Sequence, residues 1–253
     1  MSTYLVTGAS RGLGLAFVRK LQEQPPSEVS IVFGTVRAEP SRELQQLADS
    51  SQGRLVIIHM TLTEKESIAK GIEQVKKKLD GQGLDVLINN AGIIAYSKSI
   101  EEMDNLRQML EVNVEAVHDV TAALLPLLRQ GKQKKIANIG SSVSSMANAR
   151  KWMISTQYAY KISKAAVNAL TLQYAYSLEE EGFAVFSICP GWVKTDMTSY
   201  TADLDASTSA EGVLRVIAKN GNDLNGKFLK IHVPGMEVRP GAHHEYNGAE
   251  IPW

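Results

Sequence analysis

Tyr160 and Lys164 stand four residues apart in the run YKISK, the spacing that brings two side chains onto one face of a helix. A free phenol, with a pKa of about 10, is a poor acid or base near neutrality. An ammonium beside it favours the phenolate and lowers that value, each unit being worth about 1.4 kcal/mol. Such a pairing would make Tyr160 a usable proton donor. Of the eight tyrosines, only Tyr160 has lysine four residues on. The bland reading of the pair is a half-buried tyrosine beside a solvated lysine. Ser141-Ser142, at the end of the preceding strand, tips the balance by offering a hydroxyl to a carbonyl oxygen.

A second cluster lies near the start of the chain. Tyr4, Leu5 and Val6 form a short apolar strand that runs into Gly8, Gly12 and Gly14, and from Leu13 the apolar spacing turns helical (Leu13, Phe17, Leu21). Strand, glycine turn and helix form the context in which a glycine cluster binds phosphate. Without Cβ atoms the backbone can turn sharply and approach a pyrophosphate, while the free N–H groups and dipole of the helix start favour its charge. The spacing G-x-x-x-G-x-G matches neither G-x-G-x-x-G nor the phosphate loop, so on its own it also fits a plain turn.

These residues need a frame. Val29–Val36, Leu55–Ile58, Leu84–Ile88, Lys135–Ile139, Ala184–Cys189 and Lys227–Val233 read as further strands. Between them lie helical stretches: one capped by Ser41, Glu64–Leu79, a long one from Asp104 to Arg129 bent at Pro126, Tyr158–Glu180 and Ala210–Ala218. Continuous apolar strands alternating with helices predict an α/β protein, a parallel sheet covered on both faces. Ligands bind such sheets at the carboxyl ends of the strands, where strand order reverses. The glycine turn, Asn89-Asn90-Ala91-Gly92, Ser141-Ser142 and Pro190-Gly191 all fall at those ends.

Composition narrows the classes. At 253 residues, 44% hydrophobic and 21% charged, the chain suits one domain with a substantial core. Lys+Arg 27 balances Asp+Glu 27, so no basic field argues for nucleic acid. No apolar run approaches the roughly 20 residues of a membrane span, and the opening strand leaves no room for a signal peptide. The single cysteine, Cys189, excludes an internal disulfide and suggests a reducing compartment. A cytoplasmic location follows as the expectation. The five histidines show no metal-ligand spacing, so no metal is expected.

Taken together, TGASRGLG, NNAG at Asn89–Gly92, Asn113 in EVNVEA, Ser142, YKISK and PGWVKTD from Pro190 resemble the short-chain dehydrogenase/reductase family, in order over nearly the whole chain. The tail NGKFLKIHVPG and YNGAEIPW resembles the sniffer-type carbonyl reductases and norsolorinic-acid ketoreductases. The resemblance implies a single Rossmann-type domain over residues 1–253, doubly wound on about seven strands. It makes Tyr160 the general acid, and Lys164 the residue that lowers its pKa and holds the nicotinamide ribose. Ser142 would orient the carbonyl, and Asn113 would bind a water of a proton relay. The cofactor would lie along Gly8, Ser10, Arg11, Gly12, Leu13 and Gly14. Asn89, Ala91 and Gly92 would support the adenine ribose side, and Val193 and Thr195, after Pro190 and Gly191, would hold the nicotinamide amide. Thr61 stands where many relatives have an aspartate near the adenine, leaving that contact to the backbone at Thr61 and Leu62. Ser142 and Tyr160 are 18 positions apart, more than in most relatives. The loop Val143–Gln157 is therefore enlarged, and either Ser142 or a neighbour such as Ser144 supplies the hydroxyl.

Cofactor choice has its own signal. NAD-binding units place an acid roughly 20 residues past the glycines; here the second strand ends at Val36-Arg37 with no acid. Arg37 and Arg11 suit a 2′-phosphate, although Glu39 stands near enough in sequence to neutralise Arg37. NADP(H) is the expected cofactor. The reaction expected is reduction of a small-molecule carbonyl, with alcohol oxidation, or dinucleotide binding without turnover, as alternatives. The loop after Ser142 (Met146, Trp152, Met153) and the stretch after Gly191 (Trp192, Met197, Tyr200) should wall a pocket for a bulky, apolar or aromatic ketone. Ala165, Ala166 and Ala169 would let the Tyr160 helix pack on a partner's copy, giving a homodimer or homotetramer, or simply on the sheet.

Overall fold

The computed structural model describes residues 1–198, 201–238 and 244–253. Seven parallel strands form one sheet: β1 (Ser2–Val6), β2 (Val29–Val36), β3 (Leu55–His59), β4 (Val86–Asn89), β5 (Lys135–Ile139), β6 (Ala184–Cys189) and β7 (Phe228–Lys230), in the order β3-β2-β1-β4-β5-β6-β7. Helices α1 (Gly12–Glu23), α2 (Arg42–Ser50), α3 (Lys65–Leu79), α4 (Leu106–Leu110), α5 (Ala116–Gln130), α6 (Tyr158–Ser177) and α7 (Ala206–Ile217) cover it. Consecutive strand residues serve opposite faces, as the two-residue period requires. Val6, Val32 and Ile88 pack with α1 and α7, whereas Leu5, Phe33 and Leu87 pack with α3 and α5. From β1 the order runs one way to β3, and from β4 it runs the other way to β7. The reversal between β1 and β4 opens the crevice at their carboxyl ends, where the glycine turn and Asn89–Gly92 sit.

Strands β2, β5 and β6 keep the bounds that their apolar runs predict. Ser41 caps α2, its hydroxyl accepting from the Leu44 N–H. The expected long helix from Asp104 departs from prediction. It is interrupted by a π-helical turn at Glu111–Glu115, while Pro126 is carried inside α5, which continues to Gln130. The turn contains Asn113, whose amide grips the Ile93 backbone from both sides, so a tertiary bond sets the break. Helix α7 starts earlier than its apolar spacing suggests, because Asp205 caps it by accepting from the Thr208 N–H. None of the helices among the described residues is long and apolar enough to cross a membrane.

Candidate active site

Helix α6 starts beneath the end of β5 and delivers two residues there. Lys164, 6% exposed, donates from Nζ to the carbonyl of Ile139, the last residue of β5, at 2.7 Å. Its Nζ lies 5.9 Å from the centre of the Tyr160 ring. The Ser141 side chain lies beside the Tyr160 phenol and draws its pKa down. Burial pushes that phenol up to about 12, opposed by Ser141, and burial pushes the Lys164 ammonium down to about 8. The sequence expectation of a lowered phenol is thus reversed. Desolvation disfavours both charged forms, and Lys164 points its proton at a carbonyl rather than at the phenol.

Ser141 and Ser142 face different ways. While Ser141 meets Tyr160, the Ser142 N–H donates to Cys189 Sγ at 3.3 Å, and Ser142 lines a cavity of about 250 Å³ with Cys189, Gly191 and Ile251. Ser144 is spent elsewhere: it donates to the Ser141 carbonyl and accepts from Asn168 Nδ2. Asn113 is fully buried. It accepts from the Ile93 N–H at 2.8 Å and donates to the Ile93 carbonyl at 2.9 Å and to Ser163 Oγ at 3.0 Å. A Cβ at Gly92 would come within 3.0 Å of Asn113 Oδ1 and 3.7 Å of Lys164 Nζ. Asn113 thereby holds the Gly92–Ile93 backbone beside Lys164.

Across the crevice, the glycine turn is clamped to its neighbours. Its Gly8 N–H donates to Thr35 Oγ1, and Ser10 Oγ accepts from the Ser41 N–H, docking the turn on the loop that carries Arg37. A Cβ at Gly14 would lie 2.1 Å from the Gly8 carbonyl oxygen, so only glycine fits there. Helix α1 then opens with Gly12, Leu13 and Gly14, with no acidic residue in its first turn and no side-chain cap. That combination suits a pyrophosphate. Arg11 and Arg37 are both exposed at this edge, as a 2′-phosphate site needs. Arg11 also pairs with Asp196 at 3.0 Å.

Asn89, expected at the adenine ribose side, turns its side chain into the sheet. Asn89 is buried, donating to Thr121 Oγ1 and Asn138 Oδ1, so its side chain ties β4 to β5 and α5. Asn90 instead donates to the Thr7 and Gly8 carbonyls, while Thr7 Oγ1 accepts from the Asn90 and Ala91 N–H groups. Ala91 and Gly92 remain at the crevice. Thr61 donates its N–H to Ser67 Oγ, and Leu62 packs on the core. Beyond β6, the Pro190 carbonyl accepts from Ser209, Val193 bridges to Leu204, and the Thr195 side chain lies over Gly12.

Of the residues expected to wall a pocket, Trp152 lines the cavity beside Ser142. Trp152 and Trp192 approach one another through His244, with ring centres 5.2 and 5.7 Å from it. Met146 and Met153 point outward, each 70% exposed, because the short 3-10 turn Ala149–Trp152 turns only the tryptophan inward. Tyr200 and His243 lie outside the described residues. Ala165 and Ala166 are half-buried and Ala169 is exposed.

The family described as short chain dehydrogenase matches residues 2–205. The chain belongs to that family. A short-chain dehydrogenase/reductase, atnB of Arthrinium sp., is 32% identical over 89% of this chain and 86% of its own length. The carbonyl reductase Sniffer of D. melanogaster superimposes with a TM-score of 0.85 at 30% identity, covering 100% of both chains. An NADPH-bound carbonyl reductase from chicken fatty liver gives 0.81 at 32% identity, covering 91% of each.

Proposed function

We propose that this short-chain dehydrogenase is an NADP(H)-dependent ketoreductase acting on bulky, largely apolar or aromatic ketones. The observation that carries the proposal is the grouping of Tyr160, Ser141 and Lys164 at the end of β5, across the crevice from an uncapped, acid-free helix start. Gly8, Gly12, Leu13, Gly14 and Ser10 would hold the pyrophosphate, Arg11 and Arg37 the 2′-phosphate, and Lys164 and Thr195 the nicotinamide end. The bound cofactor supplies a hydride to the carbonyl carbon. Tyr160 gives its phenolic proton to the oxygen, so that C=O becomes CH–OH. Ser141, whose side chain lies beside Tyr160, orients that oxygen and takes the role first assigned to Ser142. Asn113 serves as a positioning residue, because its amide is engaged with Ile93 and Ser163. The aromatic class of substrate rests on Trp152, which lines the cavity, and on Trp192, which stacks on His244 beside it.

The test is NADPH oxidation with a graded panel of ketones. Ser141→Ala should lower kcat by about two decades, the lower end of what a positioned proton-transfer set supplies, and Ser142→Ala should leave most of it. The opposite order would return the carbonyl to Ser142. No oxidation with any ketone, despite tight NADPH binding, would reduce the protein to a dinucleotide binder.

A further inference from the structure

The last ten residues read as an irregular tail, yet they reach both loops that flank the cavity. Tyr246 is 1% exposed. Its hydroxyl donates to Asp203 Oδ2 at 2.6 Å and accepts from the Trp192 N–H at 3.3 Å, fixing the stretch after β6. Gly191, with φ +87°, lies directly against the ring, where a Cβ would come within 2.5 Å. Glycine is therefore needed there for Tyr246 to seat as well as for the turn. The other loop is held from the same segment: Ser145 Oγ donates to the Pro252 carbonyl, and the Ala147 N–H donates to the Trp253 carbonyl at 3.1 Å. Trp253 is in turn anchored on Phe228, ring centres 5.4 Å apart. Between these anchors, His244, Tyr246 and Ile251 line the cavity opposite Ser142.

We propose that residues 244–253 form a third wall of the carbonyl pocket, and that Tyr246 is the positioning residue that sets the size of ketone it accepts. This rests on the ketoreductase reading. Two loops that would otherwise move independently are tied to one segment, so the cavity between them has a fixed width. Rigid placement of such walls, rather than contact area, is what separates a good substrate from a poor one. Removing the Tyr246 hydroxyl frees the Trp192 N–H and Asp203 while keeping the ring in place. The Trp192 side of the cavity then loses its fixed position against a bulky ketone.

Tyr246→Phe should raise KM for bulky aromatic ketones about tenfold, the equivalent of one hydrogen bond of about 1.4 kcal/mol. Turnover number, KM for small alkyl ketones and NADPH affinity should stay within about threefold, by the same arithmetic. Asp203→Asn keeps a side-chain acceptor for Tyr246 and should hold the wild-type ranking of ketones. A role in folding alone would lower the melting temperature without moving that ranking. An unchanged ranking in Tyr246→Phe, or an equal loss for small and bulky ketones, overturns the proposal. Failure of the wild type to reduce any ketone is a separate outcome, and the wall is then judged by binding. The chain's three tryptophans are Trp152, Trp192 and Trp253, all at this wall. Quenching of their fluorescence by the same ketones should weaken about tenfold in Tyr246→Phe, and equal quenching in both proteins would refute the wall.

Discussion

Two buried lysines stand at opposite ends of β5 and show what separates the two edges of the sheet. Lys135 begins the strand, 7% exposed, and Lys164 reaches its last residue, 6% exposed. Both are pushed down by burial. Lys135 donates to the Ile217 and Lys219 carbonyls at 2.7 and 2.8 Å, closing the carboxyl end of α7, where orphan carbonyls and the helix dipole favour a cation. Its neighbour at that edge, Asp85, accepts from Thr3 and from the Lys132 and Gln133 N–H groups. Polar groups at the amino edge are thus used up in joining chain segments. At the carboxyl edge, Lys164 makes its bond to Ile139 beside Tyr160 and an open crevice. One residue type closes a helix end at one end of a strand and borders an open crevice at the other, and the surroundings decide which.

The sharpest way to break that contrast is to remove each lysine. Tyr160→Phe and Lys164→Ala should each cut ketone reduction by about three decades, within the range for loss of a proton-transfer group. Only Lys164→Ala should also weaken NADPH, because Tyr160 acts in proton transfer alone. Lys135→Met should leave turnover of the folded enzyme unchanged and lower the urea midpoint, since it strands two carbonyls at a cost of about 1–3 kcal/mol. If Lys135→Met lowered kcat as much as Lys164→Ala, the division between the edges would be wrong.

Cofactor choice tests a second difference within the carboxyl edge. Arg37 follows β2 in the open and no acid precedes it, so Arg37→Ala should weaken NADPH by roughly one to two decades, the worth of a charge-assisted bond to phosphate. NADH should be nearly indifferent. Equal losses for both, measured by titration of nicotinamide fluorescence, would make Arg37 a fold residue.

Sequence alone made the sheet readable, because buried parallel strands such as VSIVFGTV and AVFSIC are largely apolar, β-branched or aromatic runs that leave little freedom in assignment. The meeting of Tyr160 and Lys164 was equally legible, since i,i+4 spacing fixes a shared helix face. What stayed hidden depends on which way neighbouring side chains turn at a strand end. Ser141 and Ser142 are equivalent as letters, and so are Asn89 and Asn90, yet at each strand end the two neighbours meet different partners: Ser141 lies by Tyr160 and Ser142 lines the cavity, while Asn89 is buried between strands and Asn90 holds the glycine turn. The π turn at Asn113 and the docking of Tyr246 depend on partners 20 and 54 residues away, and no local pattern announces them.

A smaller effect than removing either lysine comes from pH. Lys164 is charged below about 8 and neutral above it, so reduction should fall by about tenfold per unit as pH rises beyond that value, if the ammonium is needed. Stability moves the other way. The folded value lies below the usual 10.5, so between about 8 and 10.5 the unfolded chain binds more protons than the folded one. From this group alone, stability therefore rises with pH across that window. A matched profile of kcat/KM and urea midpoint checks both signs. Parallel decline of the two would mean that alkaline loss of activity is unfolding, and Lys164 would belong with Lys135.

The smallest expected effect concerns Arg11 and Asp196, which join the glycine turn to the stretch after β6 at 3.0 Å with side chains 79 and 63% exposed. An exposed pair of this kind contributes about 0–1 kcal/mol, and salt screens it. It cannot hold the crevice shut. Its consequence lies in competition, since Asp196 and a 2′-phosphate would share one guanidinium. Asp196→Asn should therefore leave the melting temperature nearly unchanged and tighten NADPH by no more than about fivefold, the equivalent of about 1 kcal/mol. NADH affinity should not change, and the gain should shrink as ionic strength rises. A loss of NADPH affinity instead would mean that the pair shapes the glycine turn for the cofactor. The pair would then be a structural contact, like the polar contacts at the opposite edge.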